Sequence, residues 1–503
     1  MPELLLGIDV GTTRVKAVAF NLEGEPLASS IAEYGILTPK PAWAEQKPEV
    51  WWRTLREVVH RLFKDCDVHP GDVRGLGVSV LTPALVPVDE KGRALRNAIL
   101  MIDQRAVEEA ELIHRVAGKD KVFEITGNRI APGTYTAPSI LWIKRHEPEV
   151  YEKTYKFLHA NGYIVHRMTG AFTTDYTQAS ATLLLDIKNV KWSEDLCETL
   201  NIDQSKLPEI RPSWKAVGEL TEEAARELNL PRGIPVAAGA NDTACACIGT
   251  GVVEEGMALE SIGTTITLSY ITAKPSFDIR VLNRLHAVPE RYILMAATST
   301  PGAAYRWLRD QFYRRKSGAT YREMDEEAER APPGSRGLIF LPYLSGERTP
   351  IWNPNARGVL FGLTLTHTRG DVARAFLEGG AYCVKDCLEV FKSRKFEVSE
   401  IRVTGGGAKS RLWRSIMADV LGLTLRVPNV EEASCLGAAV LGGTAAGVYG
   451  DPIEASRRIV KVVDEVKPRL GNHVKYQRYY KLFKRVYLKL VEEFDELKAL
   501  EAS

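Results

Sequence analysis

The feature that most constrains this chain is a short glycine-threonine turn that occurs twice. Gly11-Thr12-Thr13 separates the strand-like segments 4–10 and 14–20, and Gly263-Thr264-Thr265 separates the segments 258–262 and 266–268. Positions 11 and 263 are 252 residues apart, about half of the 503-residue chain. Because a strand precedes and follows each corner, the pattern predicts two similar halves, each beginning with a β-hairpin.

The rest of the chain alternates predicted strands and helices, which is typical of an α/β fold. Strands are predicted at 74–80, 337–342 and 401–404, and helices at 48–66, 371–391, 410–421 and 433–446. Glycine and small residues cluster at 242–251, which favours a hinge. We therefore expect an N-terminal domain at 1–243 and a C-terminal domain at 244–503. The segment 476–501 is expected to form one charged amphipathic helix on the surface.

Charge and apolar content exclude several classes of protein. Lys and Arg number 66 against 64 Asp and Glu, so the formal net charge is only +2. This balance gives no field that would attract nucleic acid or a membrane surface, and it favours a small neutral or modestly anionic partner. No apolar run of about 18 residues could span a bilayer, and the first residues do not resemble a secretory signal. A cytoplasmic location is expected, and the oligomeric state stays open, a homodimer included.

The seven cysteines show no metal-site pattern. Cys245 and Cys247 lack nearby histidines, and Cys383 and Cys387 share a predicted helix face without further ligands. We interpret them as small packed hydrophobic residues with reduced thiols.

The two corners are candidates for binding phosphates. Backbone N–H groups at a glycine turn point into one space, and the threonine hydroxyls add donors. One such corner alone is more often only a turn, whereas two from opposite halves indicate a shared phosphate site. The chain contains neither a Walker sequence nor a Rossmann glycine motif after the first strand, so no other phosphate-binding loop is predicted. The glycines at 405–407 would let a flat ring such as adenine lie against the backbone, with plain packing as the alternative.

Three carboxylates occupy positions that suit phosphoryl chemistry. Asp9 lies two residues before the first corner, where it would repel phosphates unless Mg²⁺ lay between them; otherwise it caps its own turn. Asp242 follows the apolar strand 235–238 at the start of a helix, where it is either a base or an N-cap. Asp103 and Arg105 point the same way from an extended segment and either hydrogen-bond a polyol or form a solvated ion pair.

Together these segments resemble the FGGY carbohydrate kinases, especially their xylulokinase-like branch, within the actin and hexokinase superfamily. The resemblance runs in order along nearly the whole chain. Residues 7–13, Gly-Ile-Asp-Val-Gly-Thr-Thr, are similar to the family's first phosphate motif, and 43–49 resemble its Trp-x-Glu-Gln-x-Pro loop. The most specific match is Tyr-Leu-Ser-Gly-Glu-Arg-Thr-Pro at 343–350, continued through 354–363.

The resemblance implies roles for the candidate residues on the nucleotide side. Asp242 matches the catalytic base and Asp9 the metal-side acid. The first phosphate motif supplies Gly11, Thr12 and Thr13, and the second supplies Gly263, Thr264 and Thr265. The positions that match the adenosine side of the site are Gly302, Gly406, Gly407 and Ser410.

On the sugar side the chain departs from the family pattern. Asp103 and Arg105 fit a substrate motif written Trp-x-Asp-x-Arg, but Met101 replaces the tryptophan. A Gln-Met-His-Gly stretch of xylulokinases is replaced by 80–84, which makes Thr82 the substrate-side candidate there. The family's Asp-Asn pair is Asp242-Thr243 in this chain.

By this resemblance, the fold consists of two similar actin-like, ribonuclease H-like domains with a nucleotide and sugar cleft between them. The implied activity is transfer of the γ-phosphate of MgATP to a hydroxyl of a ketose or polyol, with D-xylulose as the leading acceptor. Other pentuloses, hexuloses and polyols such as ribulose or glycerol stay open. So does a non-catalytic actin-like ATP-binding regulator, although the joint presence of Asp103, Arg105 and Asp242 favours the enzyme.

Overall fold

Two seven-stranded sheets, one in each half of the chain, organise the fold. The computed structural model describes residues 3–313 and 320–501. The strands of the first half are β1 Leu4–Val10, β2 Arg14–Phe20, β3 Pro26–Glu33, β4 Glu45–Gln46, β5 Val73–Val80, β6 Ala84–Val88, β7 Ala98–Leu100, β8 Lys156–His159, β9 Thr173–Asp175, β10 Leu185–Asp186, β11 Lys191–Trp192, β12 Glu209–Arg211, β13 Ala216–Glu219, β14 Pro235–Ala237 and β15 Ala240–Asn241. Its helices are α1 Pro48–Asp65, α2 Val107–Val116, α3 Lys119–Thr126, α4 Ala137–His146, α5 Pro148–Lys153, α6 Ala160–Thr169, α7 Tyr176–Ala179, α8 Glu194–Thr199, α9 Glu222–Leu228 and α10 Asp242–Gly249.

The second half is built in the same way. Its strands are β16 Met257–Ile262, β17 Ile266–Thr272, β18 Leu282–Leu285, β19 Tyr292–Ala297, β20 Ile339–Leu341, β21 Val359–Phe361, β22 Glu400–Thr404, β23 Leu425–Pro428 and β24 Val462–Val466. Its helices are α11 Pro301–Phe312, α12 Tyr321–Arg330, α13 Arg369–Ser393, α14 Arg411–Leu421, α15 Ala433–Ala445, α16 Pro452–Ile459, α17 Leu470–Lys489 and α18 Val491–Glu501. Short 3₁₀ turns lie at Pro70–Asp72, Gln204–Lys206, Ser335–Gly337 and Gly406–Lys409.

Six strands of each sheet follow the same order when the second sheet is read in the reverse direction, as the repeated corner predicts. In the first sheet the order is β13-β14-β5-β1-β2-β3, with β15 beside β5. In the second it is β18-β19-β17-β16-β22-β23-β24. In both, an antiparallel hairpin (β1–β2 or β16–β17) is followed across the sheet by a parallel strand (β5 or β22). The predicted α/β fold of two similar units is therefore confirmed.

Helices α10 and α15 join the two halves. Helix α15 lies across β5 so closely that a Cβ on Gly77 would lie 1.8 Å from the Ala438 carbonyl oxygen. It also lies against α10, where a Cβ on Gly437 would lie 1.9 Å from the Cys245 carbonyl oxygen. Small residues are thus needed here because two backbones approach each other. The predicted boundary at 243/244 falls inside α10.

The prediction of one helix over 476–501 is wrong. Helix α17 ends at Lys489 and α18 begins at Val491, with the non-helical residue Leu490 between them. Across this break the ring of Phe494 lies 6.4 Å from that of Tyr487.

All seven cysteines are free, and all except Cys66 are buried, as expected of small packed residues. Among the described residues, no helix combines the length and the apolar character that a membrane crossing requires.

Candidate active site

Asp9 and Asp242 lie close enough for each charge to affect the other. Asp9 is near the end of β1, directly opposite Ser79 on the parallel strand β5, and the Ser79 hydroxyl donates to its Oδ1 at 2.7 Å. Burial raises the pKa of Asp9 to about 6 from its ordinary 3.8, and the negative charge of Asp242 adds to this rise. A cation placed between the two carboxylates would reverse that unfavourable interaction.

Asp242 is the first residue of α10 but does not cap it. Asn241 is the N-cap, since its Oδ1 accepts a hydrogen bond from the Ala244 N–H at 2.7 Å. The N-cap interpretation of Asp242 is therefore wrong. Among the described residues, its Oδ1 accepts from its neighbour Thr243 alone, with the Thr243 N–H at 2.7 Å. The side chain is exposed to solvent by surface area, yet the surrounding protein removes enough water to raise its pKa.

The first corner is held from behind through its carbonyl groups. The Gly11 carbonyl accepts from the Tyr34 hydroxyl, and the Thr12 carbonyl accepts from the Gln46 side chain at 2.6 Å. In the part of the chain that the structure describes, the hydroxyls of Thr12 and Thr13 form no hydrogen bond within the protein. The corner therefore keeps these donors free for a ligand.

The second corner rests on the first turn of α11. The Thr264 carbonyl accepts from the Ala303 N–H at 2.9 Å, and its hydroxyl accepts from Arg306 at 2.6 Å. Gly302 lies so close that a Cβ there would be 1.8 Å from the Gly263 carbonyl oxygen. Glycine is thus required at 302 because this helix touches the corner. Thr265 closes the turn by accepting from the Gly263 N–H at 2.9 Å.

A cavity of about 1230 Å³ adjoins the second corner. The predicted nucleotide residues that line it are Gly263, Thr264, Gly302, Gly406, Gly407 and Ser410. A Cβ on Gly406 would meet nothing within 4 Å, whereas one on Gly407 would lie 2.3 Å from Ile262. Arg306, Arg309 and Lys409 also line the cavity. Its size, its cations and its bare backbone fit a nucleotide. Ser410 additionally caps α14 by accepting from Trp413 at 3.0 Å.

Asp103 and Arg105 form a closed, buried ion pair. The Asp103 carboxylate accepts from Arg105 Nε at 2.9 Å and Nη2 at 2.7 Å, and from the Ala44 N–H at 2.6 Å. Arg105 lies 2.8 Å from Glu45 and stacks 3.7 Å from the centre of the Trp43 ring. With side-chain exposures of 2% and 1%, the pair is not solvated, so that interpretation is wrong. Its observed contacts hold the segment at 43–45 in place.

Several buried polar atoms near Thr82 lack partners. Among the described residues, no group bonds to Thr82 Oγ1, His159 Nδ1, Asn161 Oδ1 or Gln178 Oε1. Since buried polar atoms are nearly always hydrogen-bonded, such a cluster indicates water or a polar ligand. His159, Asn161 and Gln178 are not among the sequence candidates, because no motif or periodicity marks them.

Two sheets of the same strand order, a pair of carboxylates and a glycine-lined cavity define an actin-like phosphotransferase. The chain belongs to the FGGY family of carbohydrate kinases: the model of the family's N-terminal domain matches residues 4–249, and that of the C-terminal domain matches 258–446. It is thus a sugar kinase, and kinases of this family use ATP.

Relatives of known sequence and structure resemble the chain over nearly its whole length. Xylulose kinase of Escherichia coli (strain K12) is 32% identical over 493 residues, which cover 97% of this chain and 99% of that protein. Gluconokinase of Bacillus subtilis (strain 168) is 30% identical over 485 residues, 93% of either chain. The crystal structure of xylulose kinase from Rhodospirillum rubrum has a TM-score of 0.90 at 28% identity and covers 98% of this chain and 100% of its own.

Proposed function

We propose that this kinase transfers the γ-phosphate of MgATP to a hydroxyl of a ketose or polyol, with Asp242 as the base. The observation that carries this proposal is that the carboxylate of Asp242 does not cap its helix, since Asn241 does, and lies near enough to Asp9 to raise the pKa of Asp9. D-Xylulose is the first acceptor to test, because relatives along the whole chain are xylulose kinases.

Asp242 would accept the proton of the attacking hydroxyl. In the loose transition state of phosphoryl transfer, the proton leaves late, so a carboxylate within about 3 Å of the hydroxyl suffices. Burial raises the pKa of Asp242, which makes its carboxylate a stronger base than that of an ordinary Asp. Its place at the N-terminus of α10 favours the ionised form through the helix dipole.

Asp9 would hold Mg²⁺, usually through water. Ser79 occupies only one of its oxygens at 2.7 Å, and the repulsion from Asp242 provides a reason for a cation here. When bound, the ion would neutralise phosphate charge. The second corner has Ser261 at the matching place, so one metal-side acid is expected.

We further propose a division of labour between the halves. Residues 1–243 would bind the sugar and supply the base, and 244–503 would bind ATP through the cavity beside the second corner. Because α10 and α15 join the halves, closure about them would bring the corners onto the phosphates and expel competing water. The roles of Thr82, Asp103 and Arg105 in sugar binding, and of Ser410 in ATP binding, stay predictions.

The test is a coupled ADP assay with a panel of pentuloses, hexuloses, glycerol and other polyols. Stimulation of ADP release by an acceptor supports the kinase, whereas its absence with every acceptor supports the non-catalytic regulator. Asp242→Asn should lower kcat by about 10²- to 10⁴-fold and leave ATP affinity nearly unchanged.

The matched control is Asp451→Asn. Asp451 caps α16 through two backbone N–H groups, and Asn preserves such a cap while removing the same charge. This control should keep its turnover. Undiminished turnover in Asp242→Asn would refute the assignment of the base.

A further inference from the structure

Arg284 is a buried cation that no acid neutralises. The residue is 5% exposed on β18, and its Nη1 donates to the Ser180 carbonyl at 2.9 Å. Its guanidinium lies 4.8 Å from the centre of the Tyr135 ring. Burial lowers the pKa of this guanidinium, and the group that opposes the shift is Tyr135 rather than a carboxylate. Across residues 3–313 and 320–501, no ion pair is made by Arg284.

A second arginine, Arg129, also lies near Tyr135. Arg129 is half-buried, lies 4.2 Å from the centre of the Trp352 ring, and is near enough to Tyr135 for their charges to interact. Within the described residues Arg129 forms neither an ion pair nor a hydrogen bond. Other buried arginines differ: Arg105 is 2.7 Å from Asp103, and Arg374 is 2.8 Å from Glu378.

Charge without a counterion is costly inside a protein, and an anionic ligand would remove that cost. Buried cations are normally paired, because the free energy lost when the charge leaves water is offset only by an opposite charge with good hydrogen bonds. A carboxylate suits the planar guanidinium, which can donate two parallel hydrogen bonds to it.

The pair lies at one end of the region that contains Asp242. The single turn 177–180 contacts both Arg284 and the residue before Asp242. Thr177 Oγ1 accepts a hydrogen bond from the Asn241 N–H at 2.8 Å, and the Ser180 carbonyl accepts one from Arg284. One helical turn rises only about 5 Å. In addition, Thr243 donates to the sulfur of Met295 at 3.6 Å, and Met295 pairs with Leu282, two residues before Arg284 on β18.

Unpartnered polar atoms occur in the same region. Gln178 lies on that turn, and its Oε1 has no partner, while its Nε2 donates to the Leu81 carbonyl at 3.4 Å. His159 Nδ1 is also unpartnered, and burial together with the charge of Arg284 lowers the pKa of His159 to about 3. Gln178 and a neutral His159 offer hydrogen-bonding atoms to hydroxyls, whereas Arg284 and Arg129 offer positive charge.

We propose that Arg284, assisted by Arg129, binds the carboxylate of a sugar acid at the end of the acceptor site remote from Asp242. This inference rests on the proposed kinase function and deepens it. It predicts that a sugar acid binds more tightly than the neutral polyol of the same length.

The test compares ligands that differ only at one end. D-Gluconate and D-glucitol have the same chain and the same hydroxyls except that a carboxylate replaces a terminal CH₂OH. Binding is measured without nucleotide, by titration calorimetry and by the shift of the thermal midpoint. D-Gluconate should bind the parent protein at least about 30-fold more tightly than D-glucitol, the size expected of a buried charge pair.

The variants assign this preference to named residues. Arg284→Met should lose the preference, and Arg284→Lys should retain part of it because the charge remains. Arg458→Met is the control, since Arg458 also lies over a tyrosine ring, Tyr449, but is exposed on α16. If Arg284→Met does not fold, Arg129→Met replaces it and should weaken the preference several-fold.

Equal binding of the two ligands by the parent would overturn the inference, as would an undiminished preference in the foldable Met variant. Turnover of neutral acceptors in the ADP assay would then leave the kinase proposal standing. Conversely, tight D-gluconate binding without ADP release from any acceptor would refute the kinase proposal and leave the anion site.

Discussion

Glu260 gives the protein a dependence of stability on pH that a single substitution should remove. It lies fully buried on β16 between β17 and β22, and neither carboxylate oxygen has a hydrogen-bond partner among the described residues. This burial raises its pKa from 4.5 to about 8. Between these values the folded protein keeps the proton and the unfolded chain loses it, so stability falls as pH rises.

The magnitude follows from the two pKa values. The free energy of unfolding should fall by about 1.4 kcal/mol for each pH unit between about 5 and 8 through this group. At pH 7 the accumulated loss is about 3 kcal/mol. Glu260→Gln has nearly the same shape and no proton to lose, so it should be stabilised relative to the parent by an amount that grows with pH.

The assay is urea unfolding of parent and variant at pH 5, 6, 7 and 8, followed by tryptophan fluorescence. The exposed Glu255→Gln serves as a control for the change in net charge. A constant difference between Glu260→Gln and the parent from pH 5 to 8 would refute the reasoning, since it would mean that Glu260 does not hold a proton in the fold.

Two further predictions concern the proposed nucleotide and metal sites. Gly302→Ala should raise the KM for ATP by about 10-fold or more with a smaller effect on kcat, because a Cβ 1.8 Å from the Gly263 carbonyl oxygen must displace the second corner. Steady-state kinetics check this against Gly450→Ala, whose Cβ would meet open space, and equal KM values in the two variants would contradict it. Asp9→Ala should lower kcat and alter its Mg²⁺ dependence, measured by magnesium titration of the rate. A variant that matched the parent in both would exclude Asp9 from the metal site.

Local patterns predicted much of the fold. The hairpins about Gly11 and Gly263 follow from apolar strands on either side of a turn, and both lie where the sequence placed them. Helices such as α13 follow from apolar spacing, because one face of each must be buried. Several motifs together indicated the family, with residues 343–350 the most specific of them, since motif residues can be read in order along the chain.

Partners distant in sequence could not be predicted in this way. Local sequence could not decide between base and cap for Asp242, and the structure gives the cap to Asn241. Local sequence allowed Asp103 and Arg105 to be a sugar-binding or a solvated pair; contacts with Trp43 and Glu45 bury them, which excludes only the solvated pair. Arg284 had no signal at all, because its lack of a counterion is a property of its surroundings.

The sequence by itself determined the repeated α/β architecture, the two corners and the family, because these depend on short-range periodicity, turn residues and ordered motifs. Only the tertiary structure decided which charged groups form ion pairs, which residues cap helices, and which charges lack a counterion. The physical reason is that burial and hydrogen bonding depend on contacts such as that of Arg284 with Ser180, 104 positions away along the chain. Such contacts determine the cost of a buried charge, and so where a ligand is needed to neutralise it.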